Sequence, residues 1–90
     1  MKILAVCGFG VGTSLLLRMS IESACSQLGI SAEVENVDVT SVSGLSADLI
    51  MSSAEIAGEL GSVNIPVIVI NNFMDLGEIK DKLQKQLSNN

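Results

Sequence analysis

The chain has 90 residues, 48% of them hydrophobic and 17% charged, with one proline and a formal net charge of −5. That length fits one domain, residues 1–90, with a core of its own, and the apolar share excludes a disordered chain, which lacks the area to offset ordering entropy. Lys and Arg are few and scattered, so no basic stripe is available to nucleic acid, and apolar runs such as Ile65–Ile70 are far shorter than the roughly 20 residues that span a bilayer.

Lys2–Val6 predicts a strand buried on both faces: short, apolar at consecutive positions and stopped by glycine. The apolar stretch after Lys2 is too short for a secretory leader, so a soluble cytoplasmic protein with two free thiols is expected. A helix is predicted from about Thr13 to Leu28, ended at Gly29. Its inward stripe is Leu17, Ile21, Ala24, Cys25 and Leu28, at i, i+4, i+7, i+8 and i+11, which puts Cys25 inside. Ala32–Val37 reads as a weaker strand, Val34 alternating with Glu33 and Glu35 as at a sheet edge. After a Ser/Gly loop comes a strand over Ala47–Met51, and Ser52 with Glu55 has the spacing of a capping box opening a short helix through Leu60. Pro66–Ile70 (PVIVI) is a fourth strand. A last helix from about Asp75 to Leu87 sets Leu76, Ile79, Leu83 and Leu87 on one face and Lys80, Asp81, Lys82 and Lys85 on the other.

Strands alternating with helices imply right-handed βαβ crossovers, hence an α/β fold. The expected architecture is a small four-stranded parallel sheet in the order 2-1-3-4, flavodoxin-like and doubly wound with helices on both faces. Ligands meet such sheets at the carboxyl ends of the strands, beside the first strand. The segment CGFGVGTS, Cys7–Ser14, falls there as a P-loop-like turn.

A glycine-rich turn from strand into helix aims consecutive backbone N–H groups at one point, and the helix dipole adds about half a positive charge. Gly8, Gly10 and Gly12 allow close approach, and Thr13 and Ser14 offer a cap and hydroxyls. With Phe9 and Val11 supplying further amides, Gly8–Ser14 form the candidate phosphate-binding set. The Cys7 thiol stands at its entrance, where such dipoles favour thiolate. A nucleophile beside a phosphate cradle points to phosphoryl transfer through a phosphocysteine.

Rival loop chemistries fail on particular residues. A Walker A loop needs Lys before its Ser/Thr, but Gly12 precedes Thr13. A dinucleotide fingerprint starting at Gly8 or Gly10 needs glycine where Thr13 or Leu15 stands. The C-x5-R pattern of low-molecular-weight cysteine phosphatases needs arginine at Thr13. Without it, a phosphocysteine is expected to persist and be relayed rather than hydrolysed.

CGFGVGTS after ILAV, Ser53–Leu60 after ADLIM, and INN-F after PVIV together resemble the IIB (EIIB) component of the bacterial sugar phosphotransferase system (PTS), of the ascorbate and galactitol type. The resemblance covers essentially the whole chain. It implies that Cys7 accepts a phosphoryl group from a histidine of an EIIA protein and donates it to a sugar held by the membrane EIIC transporter, with no cofactor. Lactose and cellobiose EIIB proteins share the architecture with a different loop, and a regulatory module signalling through Cys7 phosphorylation is the alternative from another class.

Around this site Arg18 has the spacing to pair with Glu22, with a contact to the phosphate as its functional alternative. Leu15, Leu16 and Met19 exceed the inward stripe, and are either covered by packing or form an apolar collar for partners. Ser52, Ser53, Asn71 and Asn72 follow strands and are expected to border the site. Asp38 is read as a solvated loop acid, with repulsion of the phosphoryl group as its functional alternative. Met1, Met51 and Met74 read as core or chain-end filler. The chain has no histidine, and its two separated cysteines form no zinc pattern.

Overall fold

The computed structural model describes residues 1–7, 10–61 and 63–88, and the backbone alone at Cys7, residues 10–14 and Ser43. Its four parallel strands are β1 (Lys2–Cys7), β2 (Glu33–Asp38), β3 (Leu49–Ser52) and β4 (Val67–Val69), in the order β2-β1-β3-β4. Three α-helices connect or flank them: α1 (Gly10–Leu28), α2 (Ala54–Leu60) and α3 (Leu76–Ser88). No described helix is long and apolar enough to cross a membrane.

The central place of β1 explains its unbroken apolar run. It pairs with β2 from Lys2 opposite Glu33 to Cys7 opposite Asp38, and with β3 from Ile3 opposite Leu49 to Val6 opposite Ser52. Ile3 and Ala5 face α1 and α3, packing with Leu17, Ile21, Ala24, Ile79 and Leu83. Leu4 and Val6 face the other way, onto Val42 and Ile56. Both faces are thus closed to water, and side chains alternating across a strand must all be apolar. Edge strand β2 has only Val34 fully buried, as its charged alternation anticipates.

The far end of α1 follows local chemistry. Gly29 takes φ of 72°, Ile30 N–H bonds the Cys25 carbonyl at 2.9 Å and Gly29 N–H bonds the Ser26 carbonyl at 3.2 Å. These two bonds satisfy helix-end carbonyls, and glycine enters the left-handed region without a Cβ penalty. Cys25 is buried as expected, and that burial, with Glu22 nearby, pushes its thiol pKa up.

Four expectations need correction. First, α1 begins at Gly10 rather than about Thr13, because packing of the stripe from Leu17 onward overrides the weak helix propensity of two glycines. Second, the Ser/Gly loop is a 3₁₀ helix, Val39–Gly44, whose Val42 reaches the core. Third, β3 runs through Ser52, which is fully buried and donates its hydroxyl to the Ser53 carbonyl at 3.2 Å. Ser53, not Ser52, therefore caps α2, its hydroxyl oxygen accepting from Ile56 N–H at 3.4 Å. Fourth, Met74 is 68% exposed rather than filler, whereas Met51 is core.

Candidate functional site

All four strands run the same way, so their carboxyl ends gather at one edge: Cys7 on β1, Asp38 on β2, Ser52 on β3 and Val69 on β4. Cys7 lies level with Asp38, and Ser52 pairs with Val6, one residue before Cys7. Two residues separate the end of β1 from the start of α1. These are Gly8 and Phe9, which lie outside the described residues. Gly10, Val11, Gly12, Thr13 and Ser14 form the first turns of α1 instead of continuing a loop. The first-turn amides of a helix have no carbonyl partner within it, and its dipole is positive at that end.

The Asp38 carboxylate is a cap. Its Oδ1 accepts from Thr40 Oγ1 at 2.8 Å, Ser41 Oγ at 2.9 Å and Ser41 N–H at 3.0 Å, opening the 3₁₀ helix. The Thr40 hydroxyl, then that of Ser41, hold its pKa below the ordinary aspartate value. Asp38 is solvent-exposed and, among the described residues, forms no salt bridge.

A family model described as the PTS system, lactose/cellobiose-specific IIB subunit matches residues 2–85 of the chain. The chain belongs to the PTS IIB family. An ascorbate-specific PTS system EIIB component of Mycoplasma pneumoniae is 36% identical over 90 residues, covering 97% of this chain and 95% of that protein. One of Shigella sonnei is 34% identical over 87 residues, covering 91% of this chain and 84% of the relative. The lactose-specific IIB domain structure from Streptococcus pneumoniae superposes with a TM-score of 0.56 at 19% identity, over 98% of this chain and 95% of that one, so the fold is shared. The chain is therefore a PTS IIB component, with a role in sugar phosphotransfer.

In this IIB chain the β4–α3 loop is held in a way the sequence reading missed. Glu78 on α3 accepts the N–H groups of Asn71 at 2.7 Å and Asn72 at 3.1 Å, and Lys82 Nζ sits 2.7 Å from the same carboxylate. Lys82 also bonds the Val69 carbonyl at 2.6 Å, so it fastens the end of β4 instead of lying on a solvated face. Asn72 Oδ1 in turn accepts Met74 N–H at 2.9 Å. Asp75 and Glu78 have capping-box spacing and Glu78 N–H does bond Asp75 Oδ1 at 3.1 Å, but the Glu78 carboxylate turns to the loop instead.

This clamp makes stability acid-sensitive. The Asn71 N–H, then Lys82, lower the Glu78 pKa below its ordinary value. A depressed carboxylate contributes its full stability above the unfolded-state pKa and loses it as pH falls through the folded-state pKa. Glu78→Gln is therefore expected to melt below the wild type at neutral pH, with the gap closing on the acid side of the ordinary glutamate pKa. Melting temperatures of both proteins across that range check this.

Arg18 pairs with Glu22 at 3.5 Å, as its spacing predicts, and also donates to Asn36 Oδ1 on β2 at 3.1 Å. Both contacts hold it on the helix flank. Leu15, Leu16 and Met19, by contrast, are 44%, 40% and 57% exposed, so helix packing does not cover them. They stand on the first turns of α1, and the exposed Met74 precedes α3 at the same edge of the sheet.

Proposed function

We propose that this IIB chain is a phosphocarrier whose Cys7 takes a phosphoryl group from a phosphohistidine of an EIIA protein. It then passes the group to a sugar, ascorbate or one of galactitol type, bound in a membrane EIIC transporter. The observation that carries this reading is the position of Cys7 at the carboxyl end of an inner strand, with two residues between it and the amino end of a 19-residue helix, in a chain of this family. The names of the M. pneumoniae and S. sonnei relatives support ascorbate.

In the first step the Cys7 thiolate attacks phosphorus, an S–P bond forms, and the N–P bond breaks with its electron pair returning to the donor imidazole. In the second, a sugar hydroxyl oxygen attacks phosphorus, the S–P pair returns to sulfur, and the hydroxyl proton leaves to solvent. Within the Gly8–Ser14 set, backbone amides up to Gly12, which precede the first i→i−4 bonds of α1, hold the phosphoryl oxygens, Thr13 and Ser14 offer hydroxyls, and the dipole of α1 favours thiolate. Residues 1–90 act as one EIIB domain on the cytoplasmic side of EIIC.

The exposed Leu15, Leu16 and Met19 flank this site and form the apolar part of the EIIA contact, since interface cores combine apolar anchors with polar rims. Met19→Asp is expected to raise the KM for phosphorylated EIIA about tenfold with transfer at saturation nearly unchanged. Steady-state transfer kinetics read the split, and an unmoved KM takes Met19 out of the contact.

The decisive experiment is the intact mass of the chain after incubation with phosphoenolpyruvate, the general phosphotransfer proteins and a competent EIIA. One added phosphoryl group is expected. No addition, with EIIA verified as phosphorylated, counts against the relay. Because the matching family model carries the lactose/cellobiose description, ascorbate is then compared with lactose and cellobiose as acceptors in membranes containing EIIC. Transfer to either disaccharide in place of ascorbate decides for that second reading.

A further inference from the structure

We propose that Asp38, the residue level with Cys7 on the neighbouring strand, opposes negative charge on Cys7 and so raises the readiness of its phosphorylated form to pass the group on. This rests on the phosphocarrier reading of Cys7.

Cys7 and Asp38 are the last residues of β1 and β2 and are partners in the parallel register, on backbones about 4.8 Å apart. Of the two Asp38 oxygens, Oδ1 takes the hydroxyls of Thr40 and Ser41 and the Ser41 N–H. Those donors keep it ionised, and the three hydrogen bonds to Oδ1 hold the exposed carboxylate to the start of the 3₁₀ helix that follows β2. No lysine or arginine pairs with it among the described residues: Arg18 is engaged by Glu22 and Asn36, and Lys82 by Glu78 and Val69. The negative charge beside Cys7 is therefore not cancelled locally.

Phosphorylation brings roughly −1.5 to −2 charges to the Cys7 side chain, on the phosphoryl oxygens. On transfer the S–P bond breaks with its electron pair going to sulfur, the acceptor hydroxyl gains phosphorus and loses its proton to solvent, and a single thiolate charge is left on Cys7, in register with Asp38. Repulsion falls in that step, so Asp38 favours discharge over retention. The same charge raises the pKa of the free Cys7 thiol.

Asp38→Asn separates this from capping, because asparagine caps a helix as well as aspartate does and carries no charge. Two quantities are measured in wild type and variant. One is the Cys7 thiol pKa, from the pH dependence of iodoacetamide alkylation read on the Cys7 peptide. The other is the equilibrium constant for phosphoryl exchange with EIIA, which depends on the free species and not on docking. At low ionic strength Asp38→Asn is expected to lower the thiol pKa and to shift the exchange toward phosphorylated chain by about two- to fivefold, both differences shrinking near 1 M salt. Asp38→Ala is expected to show the same shifts together with a lower melting temperature. Identical values in wild type and Asp38→Asn overturn the proposal while Cys7 phosphorylation of the wild type leaves the relay standing. A difference that salt does not diminish also overturns it, as a structural effect. A wild type that EIIA does not phosphorylate overturns both.

Discussion

Cys7→Ser is expected to abolish phosphoryl transfer, lowering it by at least about a thousandfold, while Cys25→Ser retains it. The two cysteines differ in position and in physical state. Cys7 ends an inner strand at the edge where all four strands terminate, and α1 begins after two intervening residues. Cys25 sits on the inward face of α1, buried with Ile21 and Ala24, and its raised thiol pKa keeps it protonated and inert. Cys25→Ser places a hydroxyl in that apolar setting and costs about 1–3 kcal/mol of stability. Its signature is thus a lower melting temperature with transfer preserved. Cys7→Ser gives the reverse, an unchanged circular dichroism spectrum with no phosphoryl mass added. Equal loss of transfer in both variants contradicts the assignment.

The sheet was legible because burial leaves a plain mark on a short chain. β1 reads as unbroken apolar from Ile3 to Val6 since both of its faces are covered there, and β2 reads as alternating since it lies at an edge. The crossovers imply parallel strands, and the order 2-1-3-4 is that of the flavodoxin-like arrangement they suggest. Capping was harder, because a hydroxyl or carboxylate serves whichever amides tertiary structure brings near. Asp38 has the composition of a loop acid and yet opens a 3₁₀ helix; Glu78 has capping-box spacing and yet reaches back to Asn71 and Asn72. The glycines misled in the other direction. Their low helix propensity argues for a loop through Gly12, but α1 gains enough from packing to incorporate Gly10 and Gly12. Of the candidate site, the position of Cys7 was legible, the extent of the turn was not, and Gly8 and Phe9 lie outside the described residues.

Leu15, Leu16 and Leu17 are consecutive and chemically identical, so truncating each to alanine isolates the effect of position. Leu17 is 0% exposed and packs with Ile3, Ala5 and Ile21, whereas Leu15 and Leu16 are 44% and 40% exposed. Leu17→Ala is expected to cost about 2–5 kcal/mol, the lost transfer energy plus a cavity that the sheet and α3 close only in part. Domains of this size hold only about 5–15 kcal/mol in total, so the melting temperature should fall by about 8 °C or more, at about 4–8 °C per kcal/mol. Leu15→Ala and Leu16→Ala should stay within about 1 kcal/mol, as exposed sites do. Their cost belongs to transfer from EIIA, where the exposed side chains meet the partner. Chemical denaturation of the three variants beside EIIA transfer kinetics tests the division. A large stability loss at Leu15 or Leu16 would mean that these side chains belong to the core, and the proposed EIIA contact would lose its anchors.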